Sequence, residues 1–94
     1  MTFYHGTHSD ALPSIKTTGL RGPVVYLTED MGTAEQYAVL RSKTFGDSPA
    51  LVYVDIDYAL LENDPNSDDD RLAYRTMGSI PASGITYCEI LNSL

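Results

Sequence analysis

The sequence predicts a compact α+β fold, one domain over residues 1–94, with two short helices against a β-sheet core. Three observations lead there. Short β-rich runs recur between segments that carry helix caps and stops, only one set of core-forming segments is present, and no internal repeat divides the chain. At 94 residues and 43% hydrophobic content, the chain can build one core and has little left for a second.

Residues 2–6, Thr-Phe-Tyr-His-Gly, are short and aromatic, and predict a first strand ending in a turn at Gly6. Ser9 or Asp10 then offers a helix cap, Pro13 falls early enough to need no amide partner, and Gly19 supplies a left-handed stop. Leu12 and Ile15 are the core-facing residues of this two-turn helix. After the turn at Arg21-Gly22-Pro23, residues 24–28 read as a buried strand in which Tyr26 points away from Val25 and Leu27. Glu29-Asp30 caps a second helix over 33–42, where Ala34, Tyr37, Ala38 and Arg41 lie near one stripe and Tyr37 leans back over the sheet. A break at Gly46-Asp47-Ser48-Pro49 precedes a half-buried strand over 50–57 with Val52, Val54 and Ile56 on one face. Residues 62–70 carry five acids in nine positions and a proline, so like-charge repulsion and turn chemistry predict an exposed loop. A last strand over 85–91 puts Ile85, Tyr87, Glu89 and Leu91 on one side.

Six basic residues against thirteen acidic ones give a formal net charge of −7. A field of that sign repels phosphate backbones and anionic headgroups, so neither tight nucleic-acid binding nor membrane binding is expected. No stretch approaches the roughly 18 apolar residues of a membrane span. Cys88 is the sole cysteine, which excludes an internal disulfide and fits a reducing compartment. The opening residues show neither a basic nor an apolar signal region, and the expected location is the cytoplasm.

Common nucleotide-binding and hydrolase signatures are missing: GxGxxG, the phosphate-binding GxxxxGK, HExxH and GxSxG. His5 and His8 do not converge on a strand and have no third ligand nearby, so no metal site is expected. Glu89 stands out. An acid within a terminal strand, on the side of Ile85 and Tyr87, is costly unless it faces a cleft or a partner.

Several short pieces then fall in a telling order. Tyr4-His5-Gly6-Thr7 lies on the first strand, a short helix follows with Ile15 and Gly19-Leu20, and Val25-Tyr26-Leu27-Thr28 comes next. Tyr37 sits on a helix eleven residues after Tyr26, and Tyr87-Cys88-Glu89 on a late strand. This ordered set, running from residue 4 to about 91, resembles the diphtheria-toxin-like, or H-Y-E, branch of the ADP-ribosyltransferase superfamily, which includes the poly(ADP-ribose) polymerases. The resemblance implies a mixed β-sheet core and NAD⁺ as substrate.

It also implies roles. Glu89 becomes the catalytic residue, bonding the nicotinamide-ribose 2′-hydroxyl and orienting the acceptor, because cleavage of the glycosidic bond passes through an oxocarbenium-like ribose that a carboxylate stabilises. Tyr26 and Tyr37 become the walls against the nicotinamide pyridinium. Gly6 offers its backbone to the carboxamide, His5 bonds the adenosine ribose, and Thr7 and Thr28 are supporting hydroxyls in the NAD⁺ site. Arg21, Arg41, Arg71 and Arg75 are the candidates for the diphosphate.

The expected activity is mono-ADP-ribosyl transfer to a macromolecular acceptor, a protein in the first instance, since so small a site has no obvious channel for chain building. Compact forms of this kind resemble toxin or phage effectors. The alternative is a binding protein: an inactive remnant of the fold, or an acidic inhibitor docking on a basic, nucleic-acid-handling partner through residues 62–70.

Overall fold

A computed structural model describes residues 2–22, 24–57, 59, 61–63 and 73–91. The element order is β1 (Thr2–His8), α1 (Leu12–Thr18), β2 (Val24–Thr28), α2 (Met31–Phe45), β3 (Pro49–Asp55), β4 (Glu62–Asn63), β5 (Ala73–Met77) and β6 (Ile85–Ile90). The six strands form one sheet in the order β4-β5-β2-β1-β3-β6. This is the α+β architecture the sequence predicts, with two helices. Each pairing is antiparallel, where the family resemblance implies a mixed sheet.

The helices lie on opposite faces. Phe3, Val52 and Val54 are fully buried and cluster with Leu12 and Ile15 of α1, together with Leu20, Val25, Leu27 and Tyr74. Side chains alternate along a strand, so Gly6 and Leu51, which face each other in register, belong to the other side. There α2 approaches: a Cβ on Gly6 would overlap the Ala34 carbonyl and come within 2.8 Å of the Ala38 nitrogen. Gly6 therefore does not end the strand. It is a mid-strand position kept bare so that the helix backbone can sit on the sheet, and β1 continues to His8.

Local signals explain most boundaries. Asp30 caps α2 by accepting the Thr33 amide at 2.8 Å, and the helix runs longer at both ends than the 33–42 expected, closing on Gly46 in the left-handed region (φ 75°). Gly19 closes α1, as the pattern predicts. Neither Ser9 nor Asp10 caps that helix: a 3₁₀ turn over Ser9–Ala11 precedes it, with Ser9 Oγ accepting the Ser48 amide and the Asp10 amide bonded to Asp47.

Two features differ from the sequence expectation. β5 has no counterpart in it, yet Tyr74 and Thr76 are buried opposite Leu27 and Val25. On β6 the register shifts: Tyr53 faces Tyr87 while Val54 faces Ile85, leaving Thr86 as an extra residue. That bulge turns Ile85 onto the core, away from the side of Tyr87 and Glu89 where simple alternation puts it. Of the acidic run 62–70, Glu62 and Asn63 form β4; the remainder, and with it the proposed acidic contact, lies outside the described residues. No helix among the described residues is long and apolar enough to cross a membrane.

Candidate functional site

The sheet opens at its centre. β1 and β2 share a single registered pair, Tyr4↔Thr28, whereas β1 pairs with β3 along its whole length. Past Tyr4 the facing backbone groups of β1 and β2 are not joined in a ladder. A cavity of about 510 Å³ occupies that opening, a volume suited to a small-molecule site.

His5 bridges the gap. Its Nδ1–H donates to the Tyr26 carbonyl at 2.8 Å, so the side chain replaces a rung that the strands do not make. Burial holds the His5 pKa below its usual value, with the Arg41 charge adding to the effect and the bond to Tyr26 opposing it. The ring is therefore neutral at pH 7. With Nδ1 protonated by its carbonyl partner, Nε2 carries a lone pair and acts as an acceptor.

Other sequence-predicted residues gather around the same opening. Gly6, Tyr26, Thr28 and Tyr37 line it with His5. Tyr26 is 49% exposed and Tyr37 52%, so neither ring is part of the packed core. Their places follow from periodicity: Tyr26 alternates with buried Val25 and Leu27 on β2, and Tyr37 lies beside Ala34 and Ala38 on α2. Thr28 is buried, and its hydroxyl accepts the Asp30 amide at 3.1 Å. It shapes the turn into α2.

Thr7 and Glu89 do not line the cavity. Thr7 is buried on the α1 side, opposite Ala50. Glu89 lies on edge strand β6, opposite Leu51, which is in turn opposite Gly6. Two strand spacings separate Glu89 from Gly6 on one face, roughly 10 Å. The carboxylate is held outside the cavity lining, where Tyr53 Oη donates to its Oε1 at 2.8 Å.

The arginine candidates resolve unequally. Arg21 and Arg41 line the cavity, with Arg41 over the Phe45 ring at 5.7 Å. Arg75 is paired with Glu62 at 2.7 Å, and Arg71 lies outside the described residues. His8 turns away from His5: it donates to Asp47 at 2.7 Å and stacks on Phe45. Among the described residues no three His, Cys, Asp or Glu side chains are grouped to hold a metal.

Sequence reasoning gives Tyr4 no role beyond its place in the first motif, and passes over Tyr53. Tyr4 lines the cavity and meets Tyr53 edge to face at 5.1 Å. The alternation that puts Val52 and Val54 inward leaves Tyr53 on the other face, so a signal existed; its pairing with Glu89 depends on strands distant in sequence. Comparison with known proteins finds no matching family model and no matching curated protein.

Proposed function

We propose that this protein is an NAD⁺-dependent mono-ADP-ribosyltransferase, working in the cytoplasm, that transfers ADP-ribose to a protein and releases nicotinamide. The observation that carries the reading is the opening between β1 and β2, bordered at once by neutral His5, Tyr26 and Tyr37. NAD⁺ asks for what these residues offer. A pyridinium favours aromatic faces, which Tyr26 and Tyr37 present half-exposed. A ribose hydroxyl needs an acceptor, which His5 Nε2 supplies. A diphosphate needs cations, and Arg21 and Arg41 stand at the cavity.

Glu89 supplies the negative charge that favours ribose as its glycosidic bond breaks. Its Tyr53 partner restricts the carboxylate's rotation, and a preoriented charge stabilises a developing cation better than a mobile one. The sole cysteine, Cys88, agrees with a reducing compartment.

The test is nicotinamide release from NAD⁺, with calorimetric NAD⁺ binding measured beside it, for wild type and Glu89→Gln. Release by the wild type that falls about 10²–10³-fold in the variant, with binding retained, is the expected result. Absence of NAD⁺ binding to the wild type overturns the reading in favour of an acidic binding protein.

A further inference from the structure

Three tyrosines occupy one register row across β1, β3 and β6: Tyr4 opposite Tyr53, and Tyr53 opposite Tyr87. Their rings meet edge to face, Tyr4 with Tyr53 at 5.1 Å and 84°, Tyr53 with Tyr87 at 5.2 Å and 80°. Tyr4 belongs to the cavity wall. Tyr87 is 56% exposed on the edge strand. The row is thus an aromatic shelf leading from the cavity to the margin of the sheet, on the face that carries Glu89. Tyr53 occupies one oxygen of Glu89, and the other makes no hydrogen bond to any described residue.

We infer that this shelf receives the acceptor and that the acceptor group is a guanidinium, the side chain of an arginine on a partner protein. A guanidinium is planar and cationic, so it can lie on a tyrosine face while its N–H groups point at a carboxylate in the same plane. Lysine has the charge without the plane. Carboxylate and phosphate acceptors meet repulsion from Glu89 and from a chain of net charge −7. A serine hydroxyl gains nothing from the rings. The partner surface is accordingly basic, complementary to this acidic chain.

The transfer step rests on the proposed function; recognition of arginine by the shelf does not. As the bond between ribose C1′ and the nicotinamide nitrogen breaks, its electron pair leaves with nicotinamide. A guanidinium nitrogen bonds to C1′, and the proton it sheds passes to the Glu89 carboxylate.

The experiment titrates protein carrying ¹³C-labelled tyrosine with a capped Gly-Arg-Gly-Arg-Gly peptide and with its lysine counterpart, using wild type, Tyr87→Ala and Tyr87→Phe. The arginine peptide is expected to shift the Tyr53 and Tyr87 ring signals and to bind a few-fold more tightly than the lysine peptide, since both cations are drawn to a ring but only the planar guanidinium lies flat on it. Tyr87→Ala is expected to lose that preference and Tyr87→Phe to keep it. Equal binding of both peptides, or a preference that survives in Tyr87→Ala, overturns the inference. In a parallel arm NAD⁺ is added and the modified side chain is read by mass spectrometry. ADP-ribose on arginine supports the inference; ADP-ribose on an acidic or hydroxyl side chain overturns it while leaving the transferase reading intact. Arginine-selective binding without NAD⁺ binding supports the shelf and removes the transferase.

Discussion

Tyr53 and Glu89 are joined side chain to side chain across β3 and β6, the phenol donating to Oε1 at 2.8 Å. The bond that Tyr53 donates to Glu89, burial and the carboxylate's charge together push the Tyr53 pKa up from 10.0 to about 12. Glu89→Gln removes the charge and should return the phenol toward 10, which a ¹³C titration of the ring reads directly. The sign for stability follows: a protonated phenol favoured in the folded state contributes below the unfolded pKa, and that contribution is lost as pH rises from 10 through about 12. Alkaline unfolding of Glu89→Gln should show less of this component, the part due to burial remaining.

His5 predicts the opposite slope. Its folded pKa lies below the ordinary histidine value of 6.5 because burial disfavours the imidazolium. The unfolded chain therefore binds the proton first as pH falls beneath 6.5, and stability drops until the folded pKa is passed. Urea midpoints at pH 7.5 and 5.5 should differ less in His5→Asn than in wild type; an unchanged difference would mean that His5 is not the group responsible. Nitrogen NMR of the ring should show Nδ1 protonated at neutral pH.

Much of this was legible in the residues. The valine alternation of β3 and the cap at Asp30 lead to the observed elements, as do the aromatic start of β1 and the glycine stops. What was not legible depends on what stands opposite. Gly6 reads as a turn because nothing in a sequence shows that α2 lies on it. Ile85 reads as a neighbour of Tyr87 because alternation cannot register an extra Thr86. β5 is five residues long and next to the acidic run, and becomes a strand through pairing with β2. For the site, the resemblance singles out His5, Tyr26 and Tyr37, which the structure brings to one cavity, whereas Tyr53 became significant only once β3 and β6 were adjacent.

Gly6→Ala tests the helix contact. Any Cβ there meets backbone atoms of Ala34 and Ala38, which cannot swing aside as a side chain can. Overpacking of this kind costs about 1–3 kcal/mol, measurable as a fall in the urea midpoint. The variant should also bind NAD⁺ more weakly, since Tyr37 moves with the displaced helix.

The two cavity tyrosines should separate ring from hydroxyl. Tyr26→Ala and Tyr37→Ala are each expected to weaken NAD⁺ binding about 2–30-fold by calorimetry, with Tyr26→Phe and Tyr37→Phe close to wild type, if the rings act through their faces. Equal losses in the phenylalanine variants would assign the effect to the hydroxyls.

The one registered pair between β1 and β2 has a consequence for motion. It is a seam: on one side β1, β3 and β6 are laced through many rungs, while β2, β5 and β4 are joined to them by the Tyr4↔Thr28 pair, the His5–Tyr26 hydrogen bond and side-chain packing. Amide hydrogens should exchange fastest in the second group and slowest in β3, because opening the seam breaks few bonds. Whatever occupies the gap adds the stitches the chain omits, so a bound ligand should slow exchange in β2 and β5 more than at its points of contact alone.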